Sequence, residues 1–390
     1  MDAVVQQSLN NLRAYIEREQ FRGYDPYDGL TSPIFKLPFL NSNKIVRLYA
    51  QQAVKRSAFN LRPFLFIKKR LNPVTLGLCV QAYSYLTKTE PKNAEHHLAK
   101  INFLMDELLK VQSKNFSGMC WGYDFDWEAR YAKIPAYAPT VVATGIITNA
   151  LFECYKITGN TRALDMCKSA VQFVLKDLNR TVDDDGDICF SYSANDKQVV
   201  FNASMKGARL LAQVYSVTND ETLKDTARKA VAFVMKHQQP AGSWIYSKSE
   251  VGGWVDNYHT GYVIDCLDEY MKCTGDNDFK PHLKKAVNYY TANFFEADGA
   301  PKFYDQKTFP IDCTAAGQSL LTLARFNQLA LAAKVAAYMA AKMQDAGGYF
   351  YFRKYQANTE KISFMRWSNA WMFAGLSYLV YQNQNQLKFT

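Results

Sequence analysis

Three short stretches concentrate side chains able to move a proton or grip a sugar. The densest is Gly252-Gly253-Trp254-Val255-Asp256-Asn257-Tyr258-His259-Thr260-Gly261. His259 can titrate near neutral pH, and Tyr258 can carry a proton if a basic neighbour assists it. Asp256 is read both as a catalytic acid and, with Asn257, as a helix N-cap. Trp254 and Asn257 are candidate substrate contacts. Because the stretch opens a helix, its backbone N–H groups and dipole favour an anionic group.

The second stretch, Trp121-Gly122-Tyr123-Asp124-Phe125-Asp126-Trp127-Glu128, alternates rings with carboxylates. That is the composition of a surface on which sugar rings stack and hydroxyls are hydrogen-bonded. Trp121 and Trp127 are candidate stacking platforms. Asp124, paired with Asp256, would supply the two carboxyl groups of glycoside hydrolysis. In the third, Arg366-Trp367-Ser368-Asn369-Ala370-Trp371, the Arg366 fork suits a sugar carboxylate or phosphate, or an ordinary ion pair, with Trp367 beside it. Asp312, following Phe309-Pro310, reads as an N-cap or a further substrate contact. The run Asp183-Asp184-Asp185-Gly186-Asp187 has the letters of a terpenoid-synthase metal motif but lies in a turn. As a calcium loop it lacks the glycine position and terminal glutamate of an EF-hand. No metal site and no cofactor is assigned.

These stretches recur in register with a repeat. Apolar periodicity near 3.6 residues marks helices beginning near Thr75, Thr140, Asn202, Tyr258, Asp312 and Trp367, spaced about 55 to 65 residues apart. Small and apolar residues dominate them, as inner helices require. Partner helices at 94–112, 161–178, 221–238, 280–295 and 327–344 carry more charge on one face. The sixth partner is the N-terminal helix, 2–20, closing the ring against 367–382. The expected fold is all-α, an (α/α)6 toroid of six helical hairpins forming one domain over 1–390, with short strands or extended loops on one face. Tyr155–Asn160, Tyr215–Asp220 and Tyr270–Asp276 repeat the turn between inner and outer helix, with Gly or Asn as a left-handed C-cap. After the outer helices, Gly118, Gly186, Gly242, Gly299 and Gly348 each precede aromatics and lead back to an inner helix. All these longer connections share one end of the ring, which is therefore the expected site.

Composition agrees with a single large fold: 390 residues, 48% hydrophobic, 21% charged, and 25 each of Tyr and Phe. Cys79, Cys154, Cys167, Cys266 and Cys273 lie among apolar residues of helical segments, and no CxxC or paired-His spacing calls for zinc. With no secretory signal and no apolar run of about 18 residues, a soluble cytoplasmic protein is expected. The net charge of +10 is concentrated in an insertion at 36–70, which holds nine Lys or Arg and no acid. Such a stretch is either a solvated face or a contact for an anionic membrane or acidic partner. Without a nucleic-acid-binding motif, no nucleic acid is expected.

The motifs Gly23-Tyr-Asp25-Pro-Tyr-Asp28-Gly-Leu30, Asn60-Leu-Arg62-Pro63, Asn72-Pro73 and Gly253–Tyr262 make most of the chain resemble a VpsJ-like bacterial family associated with capsular and exopolysaccharide biosynthesis. Some homologues carry the label delta-aminolevulinic acid dehydratase. That enzyme is a β/α barrel, and this sequence has no βα alternation. More distantly the chain is similar to toroids of glucuronyl C5-epimerases, heparinase-like lyases and unsaturated glucuronyl hydrolases. The resemblance implies a glycan-processing protein acting on an acidic polysaccharide or lipid-linked glycan, as a uronate epimerase, lyase or hydrolase. The alternative is a non-catalytic glycan-binding or scaffold protein at the membrane surface.

Overall fold

The computed structural model describes residues 3–57, 59–128, 133–249 and 252–387. Its first helix, α1 (Ala3–Arg18), is followed by an excursion with a short α2 (Pro38–Ser42) and α3 (Lys44–Arg56). Five hairpins come next: α4 (Pro73–Thr89) with α5 (Ala94–Lys110), α6 (Val141–Thr158) with α7 (Thr161–Gln172), α8 (Phe201–Thr218) with α9 (Glu221–Met235), α10 (Asn257–Thr274) with α11 (Lys280–Asn293), and α12 (Cys313–Arg325) with α13 (Leu329–Met343). The last helix, α14 (Trp371–Leu387), is preceded by a π-helical turn at Met365–Ala370, so the regular α-helix begins four residues later than Trp367. None of the described helices is long and apolar enough to cross a membrane.

Local chemistry sets the boundaries. Asn72, Thr140, Asp256 and Asp312 each cap an inner helix by accepting a first-turn N–H, and Pro73 pre-sets the first residue of α4. Gly159, Asn219 and Gly275 end α6, α8 and α10 in the left-handed conformation. The inner helices are buried around nearly their whole circumference, whereas an outer helix such as α5 buries one stripe: His97, Ile101, Leu104, Met105 and Leu108. Each inner helix packs on the next, from α4 through α6, α8, α10 and α12 to α14, and α14 packs back on α4. The fold is an (α/α)6 toroid.

A repeated glycine explains how the outer layer is spaced. A Cβ at Gly118 would lie 2.0 Å from the Ser169 carbonyl oxygen on α7, and one at Gly242 would lie 2.5 Å from that of Lys285 on α11. At Gly299 it would meet the Lys334 carbonyl carbon on α13 at 2.6 Å, and at Gly348 the Asn11 carbonyl oxygen on α1 at 2.4 Å. In each case the connection leaving one outer helix lies against the backbone of the following outer helix, and only glycine permits that approach. By this criterion α1 occupies the outer position after α13. It packs on both α13 and α14, and Gln344 donates to the Ser8 carbonyl at 3.0 Å.

The excursion between α1 and α4 is held down by charge. Arg366 grips Asp25 through two hydrogen bonds of 2.6 and 2.9 Å, and Arg62, fully buried, donates to Asp28 at 2.7 Å and to the Asp25 carbonyl at 2.7 Å. The stretch 36–70 is therefore not a uniformly solvated basic face. Arg47 pairs with Glu128, Lys69 with Glu19 and Arg70 with Asp124, while Lys55 donates to the Tyr27 hydroxyl. Removing one partner of a buried pair strands the other charge. Arg62→Met should lower the unfolding free energy by about 3–5 kcal/mol in urea titrations, and Asp28→Asn added to it should restore part of the loss. A loss below about 1 kcal/mol would show that the pair does not hold the excursion.

Candidate functional site

A cavity of about 300 Å³ opens where the inner helices begin, on the end that carries the long connections. Helices supply part of its wall: Val74 from α4, Val142 and Ile146 from α6, Tyr258, His259 and Tyr262 from α10. Connections supply the rest, including Tyr27, Tyr123, Phe125, Trp127, Tyr246 and Trp254, with Trp367 and Trp371 at the start of the last helix. The three stretches thus meet at one end of the ring. Rings in contact fix one another: Tyr246 stacks on Trp254 at 4.8 Å, Tyr27 lies 5.9 Å from Trp367, and Tyr262 lies 5.5 Å from Trp371. Such a wall offers apolar faces to the C–H surfaces of a sugar and hydroxyls to its edges.

His259 belongs to this wall and is held from behind by Asp256. Asp256 uses one carboxylate oxygen to cap α10, accepting the His259 N–H at 3.0 Å. Its other oxygen contacts His259 Nδ1 at 2.6 Å and accepts the Trp254 indole N–H at 2.9 Å. An ionised carboxylate at Nδ1 fixes that nitrogen as the donor and leaves Nε2 to accept a proton. Tyr258 lies 4.1 Å from the imidazole, ring centre to ring centre. Burial, then the Asp256 charge, push its phenol well above the ordinary value, so Tyr258 stays protonated and can donate a hydrogen bond but not act as a base.

Several residues singled out from sequence stand elsewhere. Trp121 is a core residue whose indole donates to the Leu108 carbonyl at 2.9 Å. Trp244 makes the same bond to Val234 in a later repeat, so this tryptophan anchors a connection to its own outer helix. Asp124 lies behind the wall, bonded by Asn72 at 2.6 Å and beside Arg70, with burial pushing its carboxyl up to about 6. Asn257 is spent on Tyr290, Ser319 and the Lys302 carbonyl. Asp312 caps α12, pairs with Arg353 and accepts the Trp367 indole at 3.2 Å. Arg366 does face the cavity, but its fork is occupied by Asp25. No carboxylate lines the cavity among the described residues. The Asp183, Asp185 and Asp187 carboxylates converge on the Lys236 ammonium at 2.6–2.9 Å, away from the cavity.

Sequence reasoning missed the parts of the wall that come from outside the three stretches. Tyr27 arrives through the Asp25 and Asp28 ion pairs; Tyr192 and Tyr246 belong to the repeated post-glycine aromatics, whose period marked them as connections without showing which rings turn inward. A second, polar chamber of about 30 Å³ lies further along the axis, sharing Ile146, Tyr262 and Trp371 with the aromatic cavity. It had no signal at all. Lys206, on α8, points its ammonium at the Tyr262 ring, 3.4 Å from the centre, with no carboxylate within ion-pair distance among the described residues. Asp265 Oδ1 and Arg209 Nε, also buried beside it, have no hydrogen-bond partner among the described residues.

No family model and no curated protein matches the sequence. Solved structures do match in shape. Cellobiose 2-epimerase from Bacillus thermoamylovorans superposes with a TM-score of 0.62 at 14% identity, over 80% of this chain and 88% of that one. Unsaturated glucuronyl hydrolase specific for heparin gives 0.57 at 14%, over 82% and 89%. A family 76 α-mannanase from Bacteroides thetaiotaomicron gives 0.56 at 15%, over 81% and 87%. At these identities the likeness establishes the toroid alone.

Lys206 generates a pH prediction. Burial lowers its pKa to about 7, with Arg209 acting in the same direction. Between about 7 and its unfolded value of about 10.4, the unfolded chain holds a proton that the folded chain lacks, so this residue makes stability rise with pH. Lys206→Met should be more stable than the parent at pH 7 and below, and the advantage should shrink steadily toward pH 10. Urea titrations across that range check it; a constant difference would show that Lys206 titrates normally.

Proposed function

We propose that the protein is a carbohydrate-processing enzyme that binds a glycan in the aromatic cavity and transfers a proton on it through His259. His259, held by Asp256, on a wall of aromatic rings with Val74, Val142, Ile146, Thr314 and the already paired Arg366, carries this reading. It favours chemistry at a carbon made acidic by a neighbouring carbonyl or carboxylate: epimerisation or β-elimination. His259 Nε2 takes the proton, the electron pair moves onto the carbonyl oxygen, and a protonated phenol such as Tyr258 stabilises the charge that develops there. Delivery of a proton from water to the opposite face inverts the carbon, and His259 gives up its own to solvent; alternatively a β-substituent departs with its bonding electrons and is protonated by water, leaving the double bond. A two-carboxylate hydrolysis by Asp124 and Asp256 is disfavoured, because both acids lie outside the cavity lining and are committed to other partners.

For the uronate version the substrate carboxylate needs a cation. Arg366 is the cationic group of the wall, and its charge is offset by Asp25. A sugar with its own carbonyl, open at the reducing end, needs no such partner, and one structure of this shape is named a cellobiose 2-epimerase. Polysaccharide biosynthesis as the setting, with an acidic or lipid-linked glycan as substrate, belongs to the same proposal.

Reducing disaccharides and uronate oligosaccharides, incubated in deuterated water, test it. Turnover with deuterium incorporation is expected from the parent. His259→Gln should lose about 10²–10⁴-fold in kcat/KM and Tyr258→Phe less, while both still bind the glycan. Parental turnover in His259→Gln rules out the assignment. Glycan binding without turnover by the parent would instead favour a non-catalytic binding protein.

A further inference from the structure

The six most exposed large apolar side chains among the described residues all fall between positions 39 and 66. They are Phe39, Ile45, Tyr49, Phe59, Phe64 and Phe66, each 65–80% exposed. The same segment belongs to a run from Gly29 to Thr89 that contains no Asp or Glu. Scattered exposed apolar residues need no explanation, but this concentration within one basic excursion does.

The excursion is built to present these groups. On α3, Gln51 and Val54 are buried and Arg47 pairs with Glu128, so one face is docked on the body. Ile45 and Tyr49, four residues apart, share the opposite face. In the following loop Arg62 and Ile67 are buried and pin the chain on both sides of Phe64 and Phe66, and Phe66 adopts a left-handed φ of 55°. That left-handed residue closes the turn, with Ile67 donating to the Arg62 carbonyl at 3.0 Å, and leaves the Phe66 ring in solvent. Arg56 and Lys68 are exposed in the same segment.

We propose that this excursion is a docking surface for an anionic lipid bilayer, with the phenylalanines and Tyr49 entering the headgroup region and the basic residues meeting lipid charge. Aromatic rings beside Lys and Arg, without acids, match the interface between acyl chains and anionic headgroups. The exposed charges that the segment itself brings, Arg56 and Lys68 among them, are basic, so the face disfavours a second copy of itself. Docking does not depend on the reaction proposed above, but it bears on the cavity: α3 holds Tyr27 through Lys55 and anchors Glu128, next to the wall residue Trp127, through Arg47. A bilayer under α3 therefore lies against the elements that shape the cavity walls.

Flotation of the full chain with phosphatidylcholine vesicles, with and without phosphatidylglycerol, tests this. The parent should float with the anionic vesicles at low salt, less at high salt, and not with phosphatidylcholine alone. Phe59→Ser combined with Phe64→Ser should cut the bound fraction at least about tenfold with an unchanged urea midpoint, because both side chains are already in water in the free protein. Absence of flotation at low salt overturns the proposal, as does equal flotation of the double variant. A phenylalanine-dependent dimer in sedimentation without flotation overturns it too, and gives the face to a second copy.

Discussion

The pairing of Asp25 with Arg366 spans 341 positions of sequence and is the constraint on which the site depends. A bidentate guanidinium–carboxylate contact tolerates little change in angle or distance, so it sets both the height and the rotation of the excursion over the ring. Gly23 shows how close the two strands of chain come, since a Cβ there would sit 2.3 Å from that of Met365. Once this contact and the Arg62–Asp28 pair are made, Tyr27 lies between them and the cavity, facing Trp367. Buried ion pairs add little net stability compared with apolar replacements. Their value here is positional: they bring a wall residue from one end of the chain to the π-helical turn at the other.

The same economy governs the two acids that cap α10 and α12. Asp256 and Asp312 each satisfy a first-turn N–H with one oxygen and an indole N–H with the other, and so orient Trp254 and Trp367 in the wall. Asp256 additionally holds His259, while Asp312 is neutralised by Arg353. One helix start therefore carries a dyad and its equivalent in the next repeat carries a structural ion pair. The difference follows from the residue three places on: His259 in α10 and Ala315 in α12.

The repeat was legible because its signals are local. The first residues of the inner helices follow from caps such as Thr140 and Asp256, their ends from Gly159, Asn219 and Gly275, and the outer stripes from helical periodicity. The excursion was legible only as charge, because whether a lysine is solvated or paired depends on contacts such as Arg47 with Glu128 that no local pattern encodes. Trp121 and Trp127, six positions apart, show the same limit: one anchors the core and the other lines the cavity, and alternation along an irregular connection does not say which. Lys206 is the extreme case. A lysine within an apolar helix reads as its exposed edge, but Gly145 lets α6 approach so closely that the side chain is enclosed.

The electrostatics of the cavity narrow the chemistry more than its shape does. Rings and phenols do not activate water or neutralise a carboxylate, and the guanidinium in the wall is already paired. His259 is then the basic side chain left in the lining, its Nδ1 held by Asp256 and its Nε2 free of that contact. A single base of this kind removes a carbon-bound proton only from a substrate that supplies its own acidity, through a carbonyl next to that carbon. In the reaction proposed above, Tyr258 and Tyr262, which burial holds protonated, would be the wall's hydrogen-bond donors to the enolate oxygen.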